Sequence, residues 1–555
     1  MKHFSTRQAF FMCSSTSDVE ERTKILQFLC FLDESGVSEI LKKVKPTERP
    51  TGGRPEINRY DLFATILYGF AFGSGTLRDL EDACKYDLRY IYLMRNEQPS
   101  HTVFGNFIND YILPNTEEIF SCLMNQIAET CKLDFEDVFI DGSKIEADAN
   151  KYKFVWKPTT YHVKLCDKIR DLLRGSGLDR GIPDKGIFSS SLIARKLTDL
   201  SKLIAQNHDP QEKEKLLKKY TLLEGYLTKA LEYEEKEEIC GPDRNSYYKT
   251  DYDATAMTLK SDYYSGLGSN MHAAYNVQVA VCSGFACAYT VSQSRSDITE
   301  FIPVFDQFYR IYKKYPANIC ADSGYGSLEN YTYLSVHNIG NYVKHQSWQG
   351  NVSGKNPFPY TLNDDNTITC LNEKTGYITE LKDRHPKRQG TLFFKVTGCR
   401  KCGFSKYCKR WQKRKSENHK IFEVNIDLRR YIQEAEQNLL SVKGIEIRVN
   451  RSCQNEGSYG VLKQNMGYMR FRRISLSKVT VEYMLTFMGY NIRKLFRHFG
   501  GKLKLNYWTA PKNLKPEKFK KPSAKRLANR MTKKASKTQN QKAKSSYKYK
   551  RKRGS

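Results

Sequence analysis

The sequence predicts an α/β fold in which helices flank a mixed β-sheet. Three observations carry this prediction: two short apolar runs that each end in an aspartate, a pair of β-rich runs joined by a tight turn, and helix-forming segments between them. The first run, residues 138–140, is apolar without alternation, which is typical of a strand buried on both faces, and it leads into Asp141. The second run, residues 319–321, leads in the same way into Asp322.

The middle of the chain supplies the remaining strands. Residues 273–281 and 285–291 are β-rich, and the Cys282-Ser283-Gly284 turn between them predicts a hairpin. A helix is predicted around residues 302–312, before the strand that ends at Asp322. The order strand, hairpin, helix, strand and later helix would bring carboxylates from neighbouring strand ends to one rim of the sheet.

Asp141 and Asp322 are candidate metal ligands. An aspartate at the end of a buried strand is costly to desolvate unless a positive charge meets it, and a divalent cation is one such partner. The alternative for Asp141 is a simple turn with Gly142. Glu456 is the third candidate, in a segment of helical character in which Lys463 follows seven residues later on the same face.

The charge balance points to phosphoryl transfer. The 555 residues include 91 lysines and arginines against 61 acidic residues, a net charge of +30, and the isoelectric point is near 9.4. Such a surplus predicts a polyanionic partner, with nucleic acid first among the candidates. Mg²⁺ or Mn²⁺ on three acids could activate an attacking oxygen and stabilise a leaving one. Acid–base chemistry on glycosides is the alternative, and the charge favours phosphodiesters.

Neither a membrane nor a secretory route is predicted. The chain has no apolar run long enough to span a bilayer, and its first residues lack the apolar core of a secretory signal. The 15 cysteines, scattered and odd in number, argue against a disulfide scaffold and for a reducing compartment. We therefore expect a cytoplasmic protein with no membrane partner.

Four cysteines form a candidate zinc site. Cys399 and Cys402 are spaced as a CxxC pair, Cys408 follows six residues later, and Cys370 precedes them in a β-rich stretch. Four thiolates around one zinc ion would make a closed structural site. Redox chemistry at the CxxC pair is the rival interpretation, and four unrelated thiols is the third.

The composition divides the chain into segments. Residues 1–50 are predicted to form a helical lead-in and basic linker, and residues 51–133 an N-terminal helical domain. Residues 134–500 would form the α/β domain, interrupted by a helical insertion at about 160–245 and by a β-rich, cysteine-bearing insertion at about 343–447. The lysine-rich tail, 501–555, is predicted to be disordered and to bind phosphates without sequence specificity.

Four segments together resemble the DDE transposases of bacterial insertion sequences. They are DGSKIEADANKY at 141–152, MHAAYNVQVAV at 271–281, ADSGYGSLENY at 321–331 and RSCQNEGSYGVLKQNMGYMRF at 451–471. The likeness is strongest to the insertion-sequence-four-like set, group eleven eighty-two, and extends from about residue 51 to 496.

The resemblance implies both a fold and an activity. The fold would be an RNase H-like catalytic core, with Asp141, Asp322 and Glu456 as the catalytic triad that holds Mg²⁺ or Mn²⁺. The activity would be cleavage of double-stranded DNA at terminal inverted repeats, followed by strand transfer into target DNA. A homodimer in the DNA complex and a nucleoid-associated location in bacteria are further expectations. The N-terminal helical domain is implied to bind DNA.

The chain differs from the pattern that it resembles in the position of one arginine. That pattern has an arginine four positions before the glutamate, where this chain has Ser452, and Arg451 lies one residue earlier. Arg451 and Lys463 are predicted to meet DNA phosphates, with a structural ion pair as the alternative for Lys463. A catalytically inactive, transposase-derived DNA-binding protein and a nuclease without strand transfer are the competing functions.

Overall fold

The computed structural model describes residues 20–43, 56–73, 76–260, 266, 269–380, 389–410, 412, 416–503 and 507–532. Its strands, in chain order, are β1 (Asp137–Glu146), β2 (Phe154–Trp156), β3 (Ser246–Tyr248), β4 (Thr255–Leu259), β5 (Ser269–Cys282), β6 (Phe285–Ser292), β7 (Asn318–Ala321), β8 (Gly340–Val343), β9 (Tyr360–Leu362), β10 (Ile368–Cys370), β11 (Thr375–Ile378), β12 (Thr391–Thr397) and β13 (His419–Asn425).

The α-helices of the described residues fall before, between and after these strands. They are α1 (Glu20–Ser35), α2 (Val37–Lys43), α3 (Arg59–Phe72), α4 (Leu77–Tyr86), α5 (Leu88–Leu93), α6 (His101–Phe107), α7 (Thr116–Thr130), α8 (Thr159–Leu173), α9 (Ser190–Gln206), α10 (Pro210–Cys240), α11 (Phe301–Tyr312), α12 (Leu328–Val336), α13 (Trp348–Val352), α14 (Ser405–Cys408), α15 (Ile426–Leu440), α16 (Val442–Arg451), α17 (Gly457–Gly460) and α18 (Leu476–Phe499). None of the described helices is long and apolar enough to cross a membrane.

A mixed sheet organises the α/β part of the chain. Its strands follow the order β4-β5-β1-β7-β8, and β6 pairs with the edge of β5 opposite β1. Strands β6 and β1 are each antiparallel to β5, which lies between them, whereas β7 and β8 run parallel to β1. The predicted hairpin is therefore β5–β6. Strand β1 contains Asp141 and continues to Glu146, so the predicted strand end at Asp141 is wrong. Strand β7 leads into Asp322 and is the direct neighbour of β1.

The register of β1 and β7 brings their aspartates to one level. Phe139 lies opposite Cys320, so Asp141 and Asp322 each follow two residues later along parallel strands. Neighbouring strands are about 4.8 Å apart, which puts the two side chains within reach of one group. Val138, Phe139 and Ile140 are all buried, as the apolar run predicts.

The N-terminal helices share one hydrophobic core with the sheet. Phe28, Phe63 and Phe120 belong to the same buried cluster as Val279 of β5 and Leu485 of α18. The predicted division at residue 133 therefore does not separate two cores. Helix α3 packs directly on α18, so the first helices and the last long helix form a common layer over the sheet.

A second, smaller core lies among α8, α9 and α10. These helices lie between β2 and β3, within the range in which the sequence predicts a helical insertion. Leu165, Ile169, Ile193 and Leu223 are buried against one another there. The apolar stripe of α10 is thus covered by α8 and α9.

The cysteine-bearing segment forms a small antiparallel sheet, in the order β13-β12-β11-β10-β9. Its core contains Leu362, Ile368, Phe394 and Phe422. The sequence predicts that this insertion continues to about residue 447, whereas the small sheet ends at Asn425. Helix α15 instead packs along β8 of the main sheet. Asn438 Nδ2 donates to Asn341 O of β8, and Ile432 is buried in the main core.

The described part of the tail differs from the predicted disorder. Residues 507–532 run along α16 and α13, where backbone donors find acceptors: Trp508 N donates to Asn450 Oδ1 at 3.0 Å and Lys520 N to Val352 O at 3.0 Å. Arg448 and Glu517 form an ion pair at 2.8 Å, and Leu527 is buried. The remaining predicted tail, 533–555, and the predicted basic linker, 44–50, lie outside the described residues.

Candidate active site

Asp141 and Asp322 meet at a single guanidinium. Arg451 Nη2 lies 3.9 Å from Asp141 Oδ1 and 3.8 Å from Asp322 Oδ2. Arg451 is buried, whereas the Asp322 side chain is 55% exposed and faces solvent. The two predicted acids are therefore gathered at the rim of the sheet, with one cation between them.

The electrostatics of Asp141 favour a further cation. Burial raises the pKa of this carboxyl, and the nearby Asp322 and Asp297 carboxylates raise it as well. Arg451 and a hydrogen bond from Gly142 N, 3.0 Å from Oδ1, act in the opposite direction but do not cancel the effect. A positive ion at this rim would relieve the repulsion among the acids.

Asp297 is an acid of this site that the sequence reasoning missed. Asn276 Nδ2 and Gln278 Nε2 donate to its Oδ1 at 2.9 and 3.2 Å, which fixes the carboxylate beside β5. Strand β6 ends at Ser292, and Asp297 lies in the polar loop that follows, so no apolar run directly precedes it. The signal available was its position within a loop that connects two core elements.

The third predicted acid lies on a helical segment with two π-helical turns. Between α16 and α17 the chain is π-helical at Ser452–Glu456, and after α17 it is π-helical again at Val461–Asn465. A π-helix hydrogen-bonds over five residues rather than four and so accommodates one extra residue per turn. Arg451, five positions before Glu456, therefore takes the place that an arginine four positions before it would take in an α-helix. The offset in the sequence is absorbed by this turn.

Glu456 does not join the two aspartates in this structure. Its side chain is exposed, and Ser452 Oγ donates to its Oε1 at 3.0 Å. Within the described ranges, no group of three or more His, Cys, Asp or Glu side chains is arranged to hold a metal ion. The structure thus brings Asp141, Asp322 and Arg451 together and leaves Glu456 at the edge of the site.

The same helical segment is hydrogen-bonded to β1 at Asp141 and Ser143. Tyr459 Oη donates to the Asp141 carbonyl oxygen at 3.2 Å, and Lys463 Nζ donates to Ser143 Oγ at 2.6 Å. Burial, together with the charge of Lys260, lowers the pKa of Lys463. Lys463 therefore contacts β1 rather than Glu456, and its predicted contact with DNA phosphates stays a prediction.

Comparisons with known families decide the class of protein. Residues 369–496 match the family model described as a Transposase DDE domain, and residues 18–110 match one described as a Transposase domain (DUF772). The chain is a transposase that carries a DDE domain. The two matched ranges pack against each other through α3 and α18. Searches of curated proteins and of solved structures give no match.

Some candidate residues of the transposase lie inside the matched ranges and others lie outside them. Glu456, Arg451 and Lys463 fall within the DDE match, together with the four cysteines. Asp141 and Asp322 lie outside both matched ranges. Their assignment in the transposase therefore depends on the geometry of β1, β7 and Arg451.

The four predicted zinc ligands of the transposase line one cavity at the end of the small sheet. Cys370 ends β10, Cys399 and Cys402 follow β12, and Cys408 ends α14. Burial, followed by the three neighbouring thiols, raises the pKa of Cys408 to about 12. The thiols are close enough to influence one another, although as placed they do not form a group that could hold a metal ion.

Proposed function

We propose that this transposase belongs to an insertion sequence of the insertion-sequence-four-like set, group eleven eighty-two. In this proposal it binds the terminal inverted repeats of its element, cleaves the DNA there and transfers the freed strand to target DNA. The observation that carries the proposal is the convergence of Asp141 and Asp322 on Arg451 at the rim of the sheet. The surplus of basic residues supports DNA as the polyanion.

The strand order supports an RNase H-like core. Three antiparallel strands, β6, β5 and β1, are followed by β7 and β8 parallel to β1. This is the arrangement that the resemblance implies for the catalytic domain of DDE transposases.

Asp141 and Asp322 are the residues that would hold Mg²⁺ or Mn²⁺, with Glu456 as the proposed third ligand. The fit is one of chemistry: hard divalent cations take carboxylate oxygens, and the repulsion around Asp141 favours such a charge. When bound, the metal ions would activate the attacking oxygen and stabilise the leaving oxygen of the phosphodiester. The exposed Glu456 would have to turn towards the aspartates to take part.

The cations around the acids have a separate role in this proposal. Arg451 balances the two aspartates, and its distances of 3.8 and 3.9 Å are longer than a close ion pair. Lys344 Nζ lies 3.9 Å from Asp322 Oδ1. Both side chains could therefore orient a DNA phosphate at the rim while the aspartates stay ionised.

Cleavage of the DNA that flanks the transposase gene tests this function. We expect Asp141→Asn and Asp322→Asn to abolish strand cleavage while binding of the terminal repeats persists. Asp184→Asn, at an exposed aspartate between α8 and α9, is the matched control and should cleave normally. Cleavage by Asp141→Asn at the wild-type rate would refute the assignment. Joined products distinguish a transposase from a nuclease, and binding without any cleavage by the wild type would indicate an inactive DNA-binding derivative.

We further propose that Cys370, Cys399, Cys402 and Cys408 hold a structural zinc ion. The support is that all four line one cavity in a small sheet with few buried apolar side chains, and small domains often depend on a metal for stability. Zinc binding would require the thiols to move closer together. Metal analysis of the purified protein should give one zinc per chain, and Cys402→Ser should lower it; zinc-free, stable protein would remove the proposal.

A further inference from the structure

A basic cleft lies on the opposite side of the Glu456 segment from β1. It has a volume of about 780 Å³ and is formed by α3, α5, the π-helical turns around Glu456, and α18. Five cations line it, and none of its described lining residues is acidic. They are Arg89, Arg493, Lys494, Arg497 and Lys502.

Most of this positive charge is uncompensated. Arg89 is paired with Asp87, at 2.7 Å between Nη2 and Oδ2. Over the part of the chain that the structure describes, Arg493, Arg497 and Lys502 form no ion pair with a carboxylate. Cations that share a cleft repel one another, so the cleft is built for an anion that is not part of the fold.

Lys494 shows how strongly the cleft disfavours a further positive charge. Its Nζ donates to Tyr507 Oη at 2.7 Å and lies 5.5 Å from the centre of the Tyr490 ring. Burial, together with the charge of Arg497, lowers its pKa to about 8. Its neighbours are thus a phenol hydroxyl, aromatic faces and another cation, which is a poor environment for an ammonium group until an anion arrives.

The cleft opens beside the candidate catalytic acid. Gly457, which directly follows Glu456, and Cys453, three residues before it, both contribute to its wall. Tyr507 is 40% exposed there and offers an aromatic face. Cationic side chains with an accessible aromatic ring are the composition by which proteins hold nucleic-acid strands.

We propose that this cleft binds the phosphodiester backbone of the DNA strand that enters the active site beside Glu456. Arg493, Arg497 and Lys502 contact phosphates, and Lys494 completes its charge balance when the strand is bound. The inference rests on the proposed DNA chemistry for the identity of the polyanion, and it adds the path that the strand takes. The ligand class is the DNA backbone, so binding here is independent of base sequence.

Salt-dependent binding of a short duplex of arbitrary sequence tests the charge contribution, with a chelator present to prevent cleavage. Each phosphate contact contributes about 0.9 to the slope of log K against log salt. Arg493→Gln/Arg497→Gln should therefore lower the slope by about 1.8, and weaken binding about 60-fold at roughly 0.1 M salt. Arg180→Gln/Arg195→Gln, at exposed arginines of the helical insertion, is the matched control. An unchanged slope in the cleft variant, or an equal loss in the control, would overturn the proposal.

The wild-type protein provides a second test that requires no folding-sensitive variant. Cys453 is exposed on the cleft wall, and Cys30 is exposed on α1. Bound duplex should slow alkylation of Cys453, measured by peptide mass spectrometry, and leave Cys30 unaffected. Equal alkylation of Cys453 with and without DNA would overturn the proposal. Neither readout depends on DNA cleavage, so the two proposals can fail separately. A protein that shields Cys453 with DNA but does not cleave would refute the proposed function alone. A protein that cleaves DNA but leaves Cys453 equally reactive would refute DNA binding in the cleft alone.

Discussion

The crossing of α3 and α18 depends on a glycine, and this dependence can be tested quantitatively. A Cβ added at Gly489 would lie 2.6 Å from the carbonyl carbon and oxygen of Phe70 and 2.9 Å from Ala71 N. Non-bonded carbon atoms pack at about 3.5–4.0 Å, so Gly489→Ala would have to push the two helices apart by roughly 1 Å. The atoms in the way belong to the backbone and cannot turn aside.

The expected magnitude follows from two opposing effects. Alanine is favoured over glycine inside a helix by about 1 kcal/mol, whereas overpacking a tight contact costs about 1–3 kcal/mol and occasionally more. Gly489→Ala should therefore be destabilising by up to about 2 kcal/mol. Gly225, within the exposed face of α10, has no heavy atom within 4 Å of its added Cβ. The same substitution there should be stabilising by about 1 kcal/mol.

Hydrogen exchange measured peptide by peptide is the suitable assay, because the chain has more than one core and need not unfold in a single step. Gly489→Ala should lower protection in α3 and α18 without affecting α10, and Gly225→Ala should raise protection in α10 alone. If Gly489→Ala raised protection in α18, the close approach of the two helices would be wrong, and with it the shared layer that joins the two matched transposase ranges.

Two further predictions follow from the titratable groups. Burial and the neighbouring carboxylates raise the pKa of Asp141, so its ionised form is disfavoured in the folded state. Asp141→Asn should therefore raise the melting temperature at about pH 7, and the gain should be lost as the pH falls through the raised pKa towards the lower pKa of the unfolded chain. A lower melting temperature at about pH 7 would contradict this sign. The pKa of Lys494 is lowered to about 8, so this side chain loses its charge between roughly pH 7 and pH 9. Over that range the slope of log K for DNA binding against log salt should fall by up to about one in the wild type and stay constant in Lys494→Met. The same pH dependence in both proteins would refute the contact.

The main sheet was predictable because its signals are local. Continuous apolar runs identified β1 and β7, a three-residue turn identified the β5–β6 hairpin, and the aspartates directly after these runs marked the candidate site. The parallel register then brings Asp141 level with Asp322 with no further information. What could be predicted from the sequence was thus that an acid follows each apolar run, although β1 continues past Asp141 to Glu146.

The remaining features depend on contacts between distant segments. Asp297 belongs to the site only because Asn276 and Gln278 of β5 bind its carboxylate. The tail residues 507–532 have the composition of a disordered segment, and their order comes from acceptors such as Asn450 and Val352. The shared core of the N-terminal helices and the sheet requires Gly489 to face Phe70, which no local pattern of the sequence specifies.

The π-helical turn at 452–456 shows why local reasoning stops short of the site. This turn is unfavourable by itself: Asn455 is fully buried, and neither atom of its amide has a hydrogen-bond partner among the described residues. Arg451, the last residue of α16, directly precedes this turn and lies between the carboxylates of Asp141 and Asp322. These two carboxylates lie 310 and 129 residues earlier in the chain, within β1 and directly after β7. The position of Arg451 between these acids therefore depends on contacts with distant segments, which the sequence around Glu456 does not specify.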